Sequence, residues 1–151
     1  MIYFIMLLKT HLVIGIAVAL YFLPFVNNEA YFIPLVIIAS LAPNLESGFS
    51  SIKRGFFKIS KDKRGILHTY TLCIFISVIF ALFFPSAALP VFLGYSFHLL
   101  ADSFTKQGIQ PFWPLKPVSA GVVSTGGSID KSLFVTFIII DLILLITLLF
   151  S

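Results

Sequence analysis

Apolar residues gather along this chain in five blocks separated by polar stretches. The first block runs over residues 1–26, and its cleanest part, 12–25, follows Lys9, Thr10 and His11. Asn27, Asn28 and Glu29 form a short polar turn before the second block, 30–42, which carries Pro34. A polar, basic loop covers 43–64. The third block is 66–84, closed by Pro85, and the fourth is 87–100, longer if its helix continues through Asp102. A second polar loop, 105–131, precedes the fifth block, 132–150. A helix needs roughly 20 predominantly apolar residues to cross a bilayer. The second and fourth blocks are short by that measure, so they read as tilted spans or as partial, re-entrant helices. The pattern predicts an all-α, polytopic membrane helix bundle of about five transmembrane segments with two polar loops. It forms a single domain over 1–151, with no internal repeat.

Composition reinforces this reading. The chain is 59% hydrophobic and 11% charged, against about 25% charged residues in a soluble domain. So little charge cannot cover a water-facing surface, so membrane lipids are the expected surroundings and partners, and nucleic acid is not. The sequence says nothing of oligomeric state. The one cysteine, Cys73, excludes an internal disulfide. Lys9 and His11 interrupt the first block and no small-residue cleavage site follows, so it does not read as a signal peptide. Either Met1 or Met6 can be the start.

Charge sets the expected orientation. Six basic residues (Lys53, Arg54, Lys58, Lys61, Lys63, Arg64) lie in the first long loop and three (Lys106, Lys116, Lys131) in the second. If every block spans, both loops fall on one side, and the positive-inside rule makes that side the cytoplasm. The N-terminus then joins them, in agreement with Lys9. This is the pattern of a multi-pass protein of the cell (inner) membrane.

The candidate chemistry collects at the same side. His11 lies near the cytoplasmic start of the first block, His68 at that of the third, and His98 near the cytoplasmic end of the fourth. Glu46 follows the second block, and Asp102 follows His98 at i+4, which puts both on one helix face. Imidazole and carboxylate suit zinc and related divalent metals, and a catalytic site needs about three protein ligands with one position open. Any one of these residues alone would read as an interfacial polar group. Convergence of all three histidines with two acids reads as a site. Arg64 can clamp a phosphate or carboxylate through two N–H groups, or act only as a cytoplasmic anchor. The 124–128 turn, Ser-Thr-Gly-Gly-Ser, reads as a flexible turn with Ser128 capping the fifth helix and Asp130 in its first turn. Asp141, deep in the fifth block, reads as a neutral, hydrogen-bonded group.

These motifs together resemble the YdjM-type inner-membrane family, whose members are inferred to be metal-dependent hydrolases related to zinc phospholipases C. The likeness rests on Thr10-His11, on Ala42-Pro43-Asn44-Leu45-Glu46, and on Lys63-Arg64-Gly65-Ile66-Leu67-His68. It continues through Gly94-Tyr95, His98, Asp102, Thr105, Gly108 and Trp113-Pro114, and ends at Thr125-Gly126-Gly127. The resemblance covers nearly the whole chain. Two positions depart from it: Asn44 stands for the family's first Asp, and Lys63 for its first His. An ammonium has no lone pair to give a metal, so a site for more than one ion is expected to be reduced to one, or catalysis lost.

The resulting expectation is a membrane-bound, metal-dependent hydrolase working at the cytoplasmic face on a phospholipid or other amphipathic phosphate ester. His11, His68, His98 and Asp102 are the expected ligands of a divalent ion, with zinc the first choice. Glu46 is the expected further ligand or general base, and Arg64 the group that stabilises substrate charge. The competing reading is a catalytically silent membrane module that binds metal structurally or recruits a partner. Ion transport ranks last, because only Asp141 lies deep.

Overall fold

The computed structural model of the chain describes residues 2–26, 29–45 and 65–150. These residues include five α-helices: α1 (Ile2–Phe22), α2 (Glu29–Leu41), α3 (Tyr70–Phe83), α4 (Pro85–Ser103) and α5 (Ser128–Phe150). Among the described residues there is no strand; two isolated bridges, Thr105 with Val123 and Ile109 with Ser119, brace the second loop. Among the described residues, one helix answers each of the five apolar blocks, in the same order.

Local chemistry shifts the boundaries. Pro85 closes the third block, yet it also opens α4 at a first-turn position, where a missing N–H costs nothing. α4 does continue through Asp102. The third block starts as a short 3-10 turn, Ile66–His68, and α3 begins only after Thr69, whose Oγ1 accepts from the Leu72 N–H at 3.3 Å. α5 begins at Ser128, four residues ahead of the apolar block. Its first turn is held by Asp130, whose Oδ2 accepts from the Gly126 N–H at 2.8 Å. This bond ties the preceding turn to the start of the helix, of which Ser128, expected as the cap, is itself the first residue.

The central helix is α4, which packs against α2, α3 and α1. α1 in turn packs on α2 and carries α5 on its other side. One core cluster joins Ile14, Val18, Phe32, Val36 and Leu93 across α1, α2 and α4. Another joins Cys73, Tyr95 and Leu99 to Ile109 of the second loop. The outer surface is apolar: Leu82, Leu142, Ile146 and Leu149 are all exposed.

Two stretches, Leu8–Phe25 and Ser128–Phe150, are long and apolar enough to cross a membrane. α2 and α3, with 13 and 14 residues, rise only about 20 Å, short of a hydrocarbon core of about 30 Å. Five helices therefore answer the five predicted segments, while two of them meet the test for a full crossing.

Candidate metal centre

The site forms where α1, α2 and α4 cross closely. Gly94 faces α2 so tightly that a β-carbon there would strike the Val36 carbonyl and come within 2.9 Å of the Ala39 β-carbon. A β-carbon on Gly15 would come within 2.9 Å of that of Ser40. Small residues permit this approach of one backbone to another. Gly15 stands four residues after His11, and Gly94 four before His98. Each glycine thus shares a face with a histidine and brings it inward.

Asp102 is the hub. It is fully buried, as is His98, and His11 and His68 around it are buried. His11 Nε2 lies 2.9 Å from Asp102 Oδ1, His98 Nε2 lies 3.2 Å from Oδ2, and His68 Nε2 lies 3.5 Å from the same oxygen. The rings of His11 and His98 stack with centroids 4.0 Å apart. One donor atom each from His11, His98 and Asp102 lie within 4.8 Å of one another, close enough to hold one ion.

The His98 tautomer carries most information. Its Nδ1 is 2.6 Å from the Ser40 carbonyl oxygen. A carbonyl only accepts, so Nδ1 bears the proton, and in the neutral ring Nε2 bears a lone pair. That lone pair is buried, makes no hydrogen bond among the described residues, and faces a carboxylate oxygen. Two electron-rich atoms at this distance repel unless a cation, either a proton or a metal ion, lies between them. A ligating histidine whose other nitrogen donates to a backbone carbonyl is the usual arrangement at metal sites. The donor set therefore fits a divalent ion.

Neighbouring segments hold the cluster in place. Tyr95 donates its hydroxyl to the Leu67 carbonyl at 2.6 Å and so fixes the turn that carries His68. Pro111 of the second loop accepts from the Tyr70 N–H at 2.7 Å, closing the start of α3. Thr105 donates its hydroxyl to the Asp102 carbonyl at 2.7 Å and ends α4 there. Gly108, at φ 65°, donates its N–H to the Thr105 carbonyl at 3.1 Å. The Asp-x-x-Thr-x-x-Gly spacing is thus a device for ending a helix just beyond Asp102. Thr10 donates its hydroxyl to Asp130 Oδ1 at 2.8 Å and ties α1 to α5 beside His11.

Of the residues predicted for the site, the structure brings His11, His98 and Asp102 into one set, with His68 beside Asp102. Asn44 is buried in the short 3-10 turn Ala42–Asn44 at the end of α2. Glu46, Lys63 and Arg64 lie outside the described residues. Asp141 Oδ1 has no hydrogen-bond partner among the described residues. Sequence reasoning missed Ser40, which acts through its carbonyl and so leaves no residue-type signature. It also missed the Thr10–Asp130 link, whose partners stand 120 residues apart.

Fold and site together define a class: an all-helical membrane-type bundle enclosing a buried His/His/Asp cluster able to hold a metal ion. A family model matches residues 6–150, and the chain belongs to the YdjM inner membrane protein family. The likeness carried by the motifs is thereby confirmed. No curated protein and no solved structure matches the chain.

Proposed function

We propose that this protein is a membrane-embedded, metal-dependent hydrolase that cleaves an amphipathic phosphate ester at the cytoplasmic membrane face. The observation that carries the reading is the His98 lone pair aimed at Asp102 while its other nitrogen is committed to the Ser40 carbonyl. His11, His98 and Asp102 hold the ion, and His68 completes the set. A divalent ion such as zinc supplies Lewis acidity towards a phosphoryl oxygen and activates water. Ser40 and Tyr95 keep the imidazoles oriented. Glu46 takes the proton from the attacking water or adds a ligand, and Arg64 binds phosphate oxygens. The two long loops and the N-terminus are cytoplasmic, with all five helices entering the bilayer and the shorter ones entering it partially or tilted.

Asn44 and Lys63 favour a second reading. Both replace groups that could donate lone pairs, so the chain would keep one ion structurally and catalyse nothing. Purified protein and an Asp102→Ala variant separate the readings. Zinc content is measured for each, together with hydrolysis of phosphatidylglycerol vesicles. The native chain is expected to hold zinc and release product, and the variant to do neither. Zinc without turnover supports the silent module, and native protein with no more zinc than the variant ends both readings.

A further inference from the structure

A cavity of about 420 Å³ opens beside the cluster between α1, α4 and α5. Thr10, His11 and Asp130 line it at one level, fixed by the Thr10–Asp130 hydrogen bond. Leu133 and Phe137 of α5 line it farther along, with Phe97 of α4. Phe137 stands seven residues beyond Asp130, about 10 Å along the helix axis. On α4, which leads up to Asp102, Phe97 precedes the carboxylate by more than one turn. The cavity therefore runs from His11, through which it meets the cluster, into an apolar region bounded by Phe97 and Phe137. It also lies beside α5, whose outward residues Ile138 and Leu142 are exposed and apolar.

We propose that this cavity takes one hydrocarbon chain of a membrane lipid whose phosphate headgroup reaches the His11–Asp102 cluster. The lipid enters sideways from the bilayer between α4 and α5. The inference rests on the hydrolase reading for the headgroup, and it narrows the substrate to a lipid. A water-soluble phosphate ester would leave the apolar part of the cavity unfilled. A chain leaving the bilayer for this cavity exchanges one hydrocarbon surrounding for another, so it gains little hydrophobic free energy. The cavity's contribution is positional. It sets the depth and rotation of the lipid, and the polar cluster supplies the attraction.

The test uses the full chain in vesicles of phosphatidylethanolamine and phosphatidylglycerol. Part of the phosphatidylglycerol carries a diazirine midway along one acyl chain. After irradiation, adducts are mapped by peptide mass spectrometry, and zinc content is measured on the same samples. Adducts are expected on Phe97, Leu133 and Phe137. They are expected to disappear in Leu133→Trp, which fills the cavity, and to persist in Leu142→Trp, which alters the outward face of α5. Phe137→Trp repeats the block from a second position should Leu133→Trp lose its zinc. Labelling spread evenly over α5, or surviving both blocking variants, overturns the proposal. So do adducts between two protein chains at these residues, since a second copy would then cover the cavity. Failure of the metal reading shows separately, as absence of zinc from the unaltered chain whatever the labelling pattern.

Discussion

His98 has its two nitrogens assigned by the groups they meet. The Ser40 carbonyl takes the Nδ1 proton, and Nε2 is left facing Asp102. A buried carboxylate ringed by imidazoles is costly unless the charges balance, and a shared divalent ion would provide that balance. The consequence is measurable by zinc titration. His98→Ala is expected to weaken zinc binding by at least about 100-fold, given that even outer partners of ligands are worth 10–100-fold. Lys63→Ala is expected to leave affinity unchanged, because an ammonium offers no lone pair. Equal losses in both variants would contradict the assignment. Ser40→Ala keeps the carbonyl and is expected to keep zinc as well.

Helix packing turns these residues into a site. Gly94 is the point where α4 meets the backbone of α2, and Gly15 the point where α1 meets the Ser40 side chain of α2. Gly94→Val would place atoms where the Val36 carbonyl already stands. Overpacking of this kind costs about 1–3 kcal/mol, and relief by separating α2 from α4 would pull His98 away from Ser40. Lower thermal stability in detergent is expected together with weakened zinc binding, although Gly94 touches no ligand. Full zinc affinity in a destabilised Gly94→Val protein would show that the helix crossing does not position His98. Pro85 illustrates a different limit of pattern reading: one proline both closes an apolar block and opens the next helix, and only the chain's path tells the two roles apart.

Across the whole molecule, polarity is segregated. The metal cluster, the second loop and the Thr10–Asp130 tie gather at one end of the bundle, and apolar surface covers the rest. Nine of the ten basic residues lie in the polar stretches 43–64 and 105–131 of the sequence, and on the topology proposed above the positive-inside rule would put those stretches in the cytoplasm. A cysteine introduced at Ser51 is accordingly expected to resist membrane-impermeant thiol reagents in intact cells and to react once the membrane is opened. Ready labelling from outside would invert the topology and move the site to the opposite face.

Among the described residues, the order and approximate extent of the helices were legible in the chain, because blocks of apolar side chains leave the backbone few options in lipid. The buried grouping of His11, His98 and Asp102 was also foreshadowed, because they are scarce polar groups in an apolar chain. What the linear pattern left open concerns contacts between distant segments. The Ser40 carbonyl, the clearance at Gly15 and Gly94, the Thr10–Asp130 bond and the cavity beside His11 all depend on how helices cross. A backbone carbonyl carries no residue signature, and a void carries none either. Those features exist only once α1, α2, α4 and α5 have packed, because packing alone brings atoms far apart in the chain to hydrogen-bonding distance.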